Sequence, residues 1–219
     1  MPSPSAGLEH TTPQKVQSHY DLWASSYDDD CVNKHRYVGH KKLAHLASKY
    51  LNKDDRILIV GAGTGLEAAE LKKHGYDHMD GHDGSQKMLE AAQSRGLFVN
   101  SWQEMLEPHK LSKNFQSKHY DAVVNVGCFI PGCLDERHLD ALIDPVRPGG
   151  LLILGTREVF FSPPPKERFG EFAIVDYPYY LERRIETLEK ERVLERLERF
   201  HTPDYLDDFA GVFFVLRVL

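Results

Sequence analysis

The feature that most constrains this chain is the stretch Ile57 to Ala68, I-L-I-V-G-A-G-T-G-L-E-A, where four β-prone residues run into Gly61, Gly63 and Gly65 and a helical pattern follows. The order reads as strand, tight turn and helix. Glycines in such a turn supply φ > 0 and, lacking a Cβ, let a ligand lie directly on the main chain. Two familiar phosphate-binding loops do not fit. Position 66 is Leu where a G-x-G-x-x-G dinucleotide fingerprint needs Gly, and the Lys-Ser/Thr pair of a P-loop is missing.

Around this turn the chain alternates helical stretches, with apolar residues three or four apart, and short β-rich runs bounded by Gly, Pro or Asp, which predicts an α/β fold on a parallel sheet. Helices are expected at about Val16 to Ser26, Tyr37 to Leu51, Leu66 to His74, Gln86 to Arg95, Glu136 to Asp144 and Tyr179 to Lys190. Seven strands are expected, at Arg56 to Val60, His78 to His82, Leu97 to Ser101, Tyr120 to Val126, Leu151 to Thr156, Arg192 to Phe200 and Val212 to Val218. The charged run E-K-E-R-V-L-E-R-L-E-R-F can either continue the helix before it or turn into an edge strand, and periodicity leaves both open. Residues 1–14 carry three prolines and little apolar material, so a flexible tail is expected there. Residues 15–219 read as a single domain, since neither an internal repeat nor a shift of composition divides them.

Composition bounds the function classes. With 41% hydrophobic and 27% charged residues the chain is an ordinary globular protein, and its best apolar runs, Leu151 to Leu154 and Val212 to Leu216, are far too short to span a bilayer. The start, M-P-S-P-S-A-G-L-E-H, has none of the basic and apolar character of a signal peptide, and three cysteines cannot pair completely. A reducing, cytoplasmic setting is expected, with the nucleus left open. A formal net charge of -6 disfavours a nucleic-acid partner, and a monomer is expected.

Asp83 stands 18 residues beyond Gly65, at the end of the next predicted strand. A carboxylate there can accept both hydroxyls of a ribose, and in an open doubly wound sheet ligands sit at the carboxyl ends of the strands. The glycine turn and Asp83 would therefore converge on one adenosine. The plainer alternative makes the turn a mere connection and Asp83 a helix cap, but the spacing of the two together disfavours it.

G-x-G-x-G after an apolar strand, then D-x-S-x-x-M-L, resembles the class I S-adenosylmethionine-dependent methyltransferases. Y-D-A-V-V-N-V-G, Tyr120 to Gly127, and V-R-P-G-G-L-L-I-L, Val146 to Leu154, resemble that family's fourth strand and its turn into the fifth. Y-D-L-W-A-S-S-Y-D-D-D, Tyr20 to Asp30, and the ending H-T-P-D-Y with G-V-F-F-V-L-R-V-L are similar to the methyltransferase-like proteins of the Williams-Beuren syndrome critical region. The resemblance runs from about Val16 to Leu219. It implies a Rossmann-like seven-stranded sheet, order 3-2-1-4-5-7-6, with the last strand antiparallel, helices on both faces and an N-terminal lid over about residues 16–50.

The resemblance also implies a site. S-adenosyl-L-methionine would be the cofactor and S-adenosyl-L-homocysteine the product, with a small molecule or a protein side chain as methyl acceptor. Gly61, Ala62, Gly63, Thr64 and Gly65 would pass under the methionine part and Asp83 would hold the ribose. Gly84, Met88, Asn100, Ser101 and Trp102 would meet the adenine, Trp102 either stacking there or belonging to the core. Asn125, Val126 and Gly127 would end the fourth strand beside the sulfonium, and Tyr20, Trp23 and Tyr27 would close over the cofactor. The chain departs from the family at Ile59, where an acid is usual two residues before the first loop glycine. In-line displacement from a sulfonium can rest on positioning and water exclusion, so no catalytic base is assigned; His138, Glu158 and Tyr177 are candidates by location.

Several patterns point nowhere further. Ser162-Pro163-Pro164-Pro165 resembles the signature of methyltransferases acting on amino groups, but follows the fifth strand and ends in Pro where an aromatic should stack. His74, His78 and His82 are evenly spaced, yet the spacing crosses Gly75 and a helix-to-strand boundary, so no metal is expected. Cys31, Cys128 and Cys133 read as buried or free thiols, and Glu182 to Arg199 as a solvated face. Two other functions remain open at this level: a methyltransferase-like fold that binds cofactor or a partner without turnover, and an NAD(P)-dependent oxidoreductase.

Overall fold

The structure is a computed structural model and describes residues 12–160 and 180–219. Most of the tail, the Ser162-Pro165 loop and Tyr177 lie outside the described residues. Seven strands form one sheet: β1 (Ile57–Val60), β2 (Met79–Asp83), β3 (Ser101–Gln103), β4 (Tyr120–Val126), β5 (Val146–Arg157), β6 (Leu194–Leu206) and β7 (Phe209–Val218). Their order is β3-β2-β1-β4-β5-β7-β6, as expected. The pairs from β3 to β5 are parallel, while β7 runs antiparallel to both β5 and β6.

The central strands are apolar on both faces because both faces are covered, the usual condition of a parallel sheet. Ile57, Ile59, Val124, Ile153 and Val215 pack on α2 (Gly39–Tyr50) and α3 (Leu66–Lys73) through Leu43, Leu46 and Leu71. Leu58, Val123, Leu152, Leu154 and Phe214 pack on α5 (Leu139–Ile143) and α6 (Leu181–Lys190) through Leu142, Ile185 and Leu188. Two more helices complete the fold: α4 (Gln86–Ser94) packs beside β2 and β3, and α1 (Pro13–Trp23) packs on α4. Among the described residues no helix is long and apolar enough to cross a membrane.

Differences from the sequence expectations have local causes. Helix α1 starts at Pro13 because Thr12 caps it and a proline at the first helical position has no N–H to leave unsatisfied. Strand β3 begins at Ser101, not Leu97. The Asp80 carboxylate takes the Asn100 N–H at 2.9 Å, while Leu97 and Phe98 turn inward against Gly65 and Gly81, so a regular ladder forms only afterwards. The charged run divides: α6 ends at Lys190, Arg192 turns the chain at φ 57°, and β6 leaves as an edge strand. Its charges pair across elements, Arg196 with Glu182 and Glu189, and Arg217 with Glu195, which keeps that edge polar.

Candidate functional site

The three loop glycines are required for three different reasons. All take positive φ, 72° at Gly61, 52° at Gly63 and 88° at Gly65. A Cβ on Gly61 would collide with the Cys128 thiol, and one on Gly65 with Leu97. A Cβ on Gly63 would meet nothing within 4 Å, so here the backbone faces open space. Asp83 fixes this stretch: its Oδ2 accepts the Gly63 N–H and its Oδ1 the Ser85 N–H, each at 2.8 Å. The helix cap next door is Ser85, whose hydroxyl accepts the Met88 N–H. Burial raises the Asp83 carboxyl above the usual carboxylate range, against the lowering pull of these bonds.

The open space in front of Gly63 is a cleft of about 900 Å³, counting its mouth, at the carboxyl ends of β1, β2 and β4. Its floor is Val60 to Thr64, one wall is His82 to Ser85 with Met88, and the opposite wall is Val126 to Cys128. Glu104, Met105 and Leu106, just beyond β3, close the far end. The N-terminal segment covers it: Val16, Gln17, Tyr20 and Tyr27 line the roof, and Tyr20, Trp23 and Tyr27 form one aromatic cluster, with 4.6 Å between the rings of Trp23 and Tyr27. Polar clasps hold this cover. Asp21 accepts from the Ser85 hydroxyl (2.6 Å) and the Lys87 N–H, and Asp28 bonds Thr64 and Arg95. Asp30, in the π-helical turn Asp29–Lys34, gathers Trp23, Ser26 and Lys34, which pull its carboxyl down to about 2.

Two carboxylates besides Asp83 reach the cleft. Glu67, in the first turn of α3, is buried and accepts the Tyr37 hydroxyl at 2.7 Å. Burial pushes its carboxyl up to about 7. Glu104 accepts from Ser112 and Asn114, and these bonds hold its carboxyl below its ordinary value. His82 is buried with neither ring nitrogen hydrogen-bonded, and desolvation drives it down to about 4, so it is neutral.

A smaller cavity opens from the same place. Tyr20, Tyr27, Val126 and Gly127 line both, and Trp23, Tyr37, Thr156, Arg157 and Tyr205 complete the second. Burial keeps the hydroxyls of Tyr20, Tyr27, Tyr37 and Tyr205 protonated, and those of Tyr37 and Tyr205 neighbour each other.

The cleft brings together Tyr20, Tyr27, Gly61, Ala62, Gly63, Thr64, Asp83, Gly84, Met88, Val126 and Gly127 from the sequence expectation. Trp23 lines only the second cavity, and Gly65 packs against α4 and Leu97. Asn100 bonds Asp80, Ser101 bonds Gln93 and Trp102 packs edge-on to Phe115, all outside the cleft. Asn125 is fully buried behind it, giving its amide N–H to the Val60 carbonyl. His138 closes a capping box with Asp135, and Glu158 pairs with His201 near the surface. Sequence reasoning missed Glu67, Glu104, Met105, Cys128, Cys133 and Tyr205. An acid two residues past the last loop glycine was a visible signal for Glu67; Glu104 was hidden by the early start assigned to β3. Among the described residues no three His, Cys, Asp or Glu cluster as metal ligands would, and the three cysteines are free.

Comparison with known proteins agrees with this geometry. Residues 57–150 match the methyltransferase domain family. Over 158 residues the chain is 34% identical to methyltransferase-like protein 27 of Homo sapiens, a match covering 68% of this chain and 61% of that protein. The chain thus spans about three fifths of the length of the curated relative it matches. In structure it is similar to the [4+2]-cyclase SpnF (TM-score 0.70, 15% identity, 96% of this chain and 97% of that one). It is also similar to an S-adenosylmethionine-dependent methyltransferase from Mesorhizobium loti (TM-score 0.56, 15% identity, 82% and 100%). Residues 57–150 carry a methyltransferase domain, and the sheet as a whole has the Rossmann-like fold of the class I methyltransferases.

Proposed function

We propose that the protein binds S-adenosyl-L-methionine in the large cleft and transfers its methyl group to a small molecule or protein side chain entering through the second cavity. The observation that carries this reading is the pairing of Gly63, whose backbone faces open space, with the half-buried Asp83 that grips its N–H. Each Asp83 oxygen accepts one backbone bond and keeps a lone pair, so the carboxylate can hold a diol as well. The rest of the cleft fits such a ligand: Met88, Met105 and Leu106 offer an apolar slot for a purine, and Glu104 an acceptor beside it.

The bound cofactor would supply an electrophilic methyl on sulfur, a group that needs no metal and little acid-base help. The protein's part is then mainly placement. Val126 and Gly127 form the wall common to both cavities, so groups held in each would meet along this stretch. Tyr20 and Tyr27 roof the junction and keep water out. The second cavity is lined by the phenols of Tyr20, Tyr27, Tyr37 and Tyr205 together with the Arg157 guanidinium, polar groups able to orient an acceptor.

The fold alone does not fix the chemistry, as the cyclase among its structural neighbours illustrates. Two measurements separate the readings. Calorimetric titration with S-adenosyl-L-methionine, S-adenosyl-L-homocysteine and NAD should give binding of the first two only. A screen of acceptors with radiolabelled cofactor should then give methyl incorporation, and cofactor binding with no transfer to any acceptor class would favour a fold that binds without turnover.

A further inference from the structure

Glu67 is the one carboxylate of the cleft that the adenosine does not explain. Its side chain is buried at 8% exposure, yet among the described residues no lysine, arginine or histidine forms an ion pair with it. The groups that face it are acids, phenols and thiols: Asp28 and Tyr27 from the cover, Cys31 from the π-helical turn, Tyr37 before α2, Asp83 from β2, Cys128 after β4 and Tyr205 from β6. The Tyr37 hydroxyl donates to its Oε1, and a backbone N–H also favours the ionised form. The Arg157 guanidinium lines the second cavity beside Tyr205, Tyr20 and Tyr27 and forms no ion pair with Glu67 among the described residues, so the site holds a potential anion in a low-dielectric wall, most favourable when a ligand brings a positive charge of its own. Ile59, where an acid could otherwise have reached the loop, is buried in the core between β1 and the helices.

Resting on the cofactor reading above, we infer that Glu67, oriented by Tyr37, takes the primary ammonium group at the amino-acid end of the cofactor. Asp83 then selects the ribose and Glu67 the amino acid, two carboxylates reading two different donor groups of one molecule. An ammonium with its own three N–H donors suits a carboxylate that has one oxygen engaged and one left. Binding this cation favours the ionised form of Glu67, so in the pH range where the free protein holds the carboxyl half-protonated, near 7, binding should release a proton.

The test compares two commercial ligands on the full chain, S-adenosyl-L-homocysteine and 5′-methylthioadenosine, which shares the adenosine and lacks the amino acid. Glu67→Gln keeps the shape and the bond from Tyr37 but cannot carry charge. It should weaken S-adenosyl-L-homocysteine by about 30-fold or more and leave 5′-methylthioadenosine within about 3-fold. Affinity of the wild-type chain for S-adenosyl-L-homocysteine should climb from pH 5.5 to about 7 and then level, with the variant flat over the same range. Tyr37→Phe removes the bond that helps Glu67 ionise, so it should move that rise to higher pH without touching 5′-methylthioadenosine affinity. Equal loss of both ligands in Glu67→Gln, or an unchanged preference between them, would overturn the inference while leaving the cofactor reading intact. A wild-type chain that binds neither ligand would overturn both.

Discussion

Asp83 does two jobs with one carboxylate. Its oxygens hold the Gly63 and Ser85 N–H groups, which shapes the turn, and on our reading they also accept the ribose hydroxyls. Each hydrogen bond to a charged group contributes roughly 1.5 to 3 kcal/mol, part of which water restores when the side chain is cut back. Asp83→Ala should therefore weaken S-adenosyl-L-homocysteine by about 2 to 4 kcal/mol, or about 30-fold to 1000-fold, by calorimetry. An unchanged dissociation constant in a folded variant would remove Asp83 from the site. Gly63→Val tests the backbone in the same way. The new side chain would find room, since nothing lies within 4 Å of its Cβ, but the room is the ligand's, and φ 52° is strained for a β-branched residue. Binding should fail in this variant, and normal binding would show that the ligand lies elsewhere.

At the scale of elements, the sequence was most legible where period and punctuation agree. Ile57–Val60 is a run of four apolar residues buried on both faces, and its pattern alone fixed β1. The glycine turn and Asp83 were legible because their function is carried by backbone and by one spacing. Less legible were the parts that tertiary contacts decide. Asp80 delays β3 by capturing Asn100, and that moves the cleft's far wall from Asn100–Trp102 to Glu104–Leu106. The turn Asp29–Lys34 has no helical period of its own and is held by Asp30 bonding back to Trp23 and Ser26. The cover as a whole is fastened by polar clasps at the protein surface and only Val16 of α1 is buried, so it should open more readily than the sheet. We expect S-adenosyl-L-homocysteine to slow hydrogen exchange over Tyr20 to Tyr27 more than in β1 or β4, which are protected already. Trp23 fluorescence should change in the same titration, with Trp102 contributing little because it packs on Phe115 outside the cleft. A cover whose exchange ignores the ligand would make these aromatics plain packing.

For the whole molecule, the buried titratable groups set opposed slopes of stability against pH. His40 and His82 are held neutral, near 4 against an ordinary value of 6.5, so the unfolded chain takes up protons first and stability falls as pH drops from about 6.5 towards 4. Glu67 acts the other way. Its folded carboxyl stands at about 7 against 4.5, so the folded chain keeps a proton the unfolded chain has lost, and stability falls as pH rises from about 4.5 to 7. Two histidines outweigh one glutamate until their unfolded imidazoles have lost most of their protons, which for these three groups places the maximum at about pH 7. Glu67→Gln removes the second slope without opening a cavity and keeps an acceptor for Tyr37. Urea unfolding should therefore find the variant more stable than the wild-type chain at pH 8, by about 2 to 4 kcal/mol, with the difference fading towards pH 5. A variant less stable than wild type at pH 8 would mean that the carboxylate supports the fold. If instead the charge is held there for a ligand, saturating S-adenosyl-L-homocysteine should stabilise the wild-type chain more than the variant, and the two should approach equal stability in its presence.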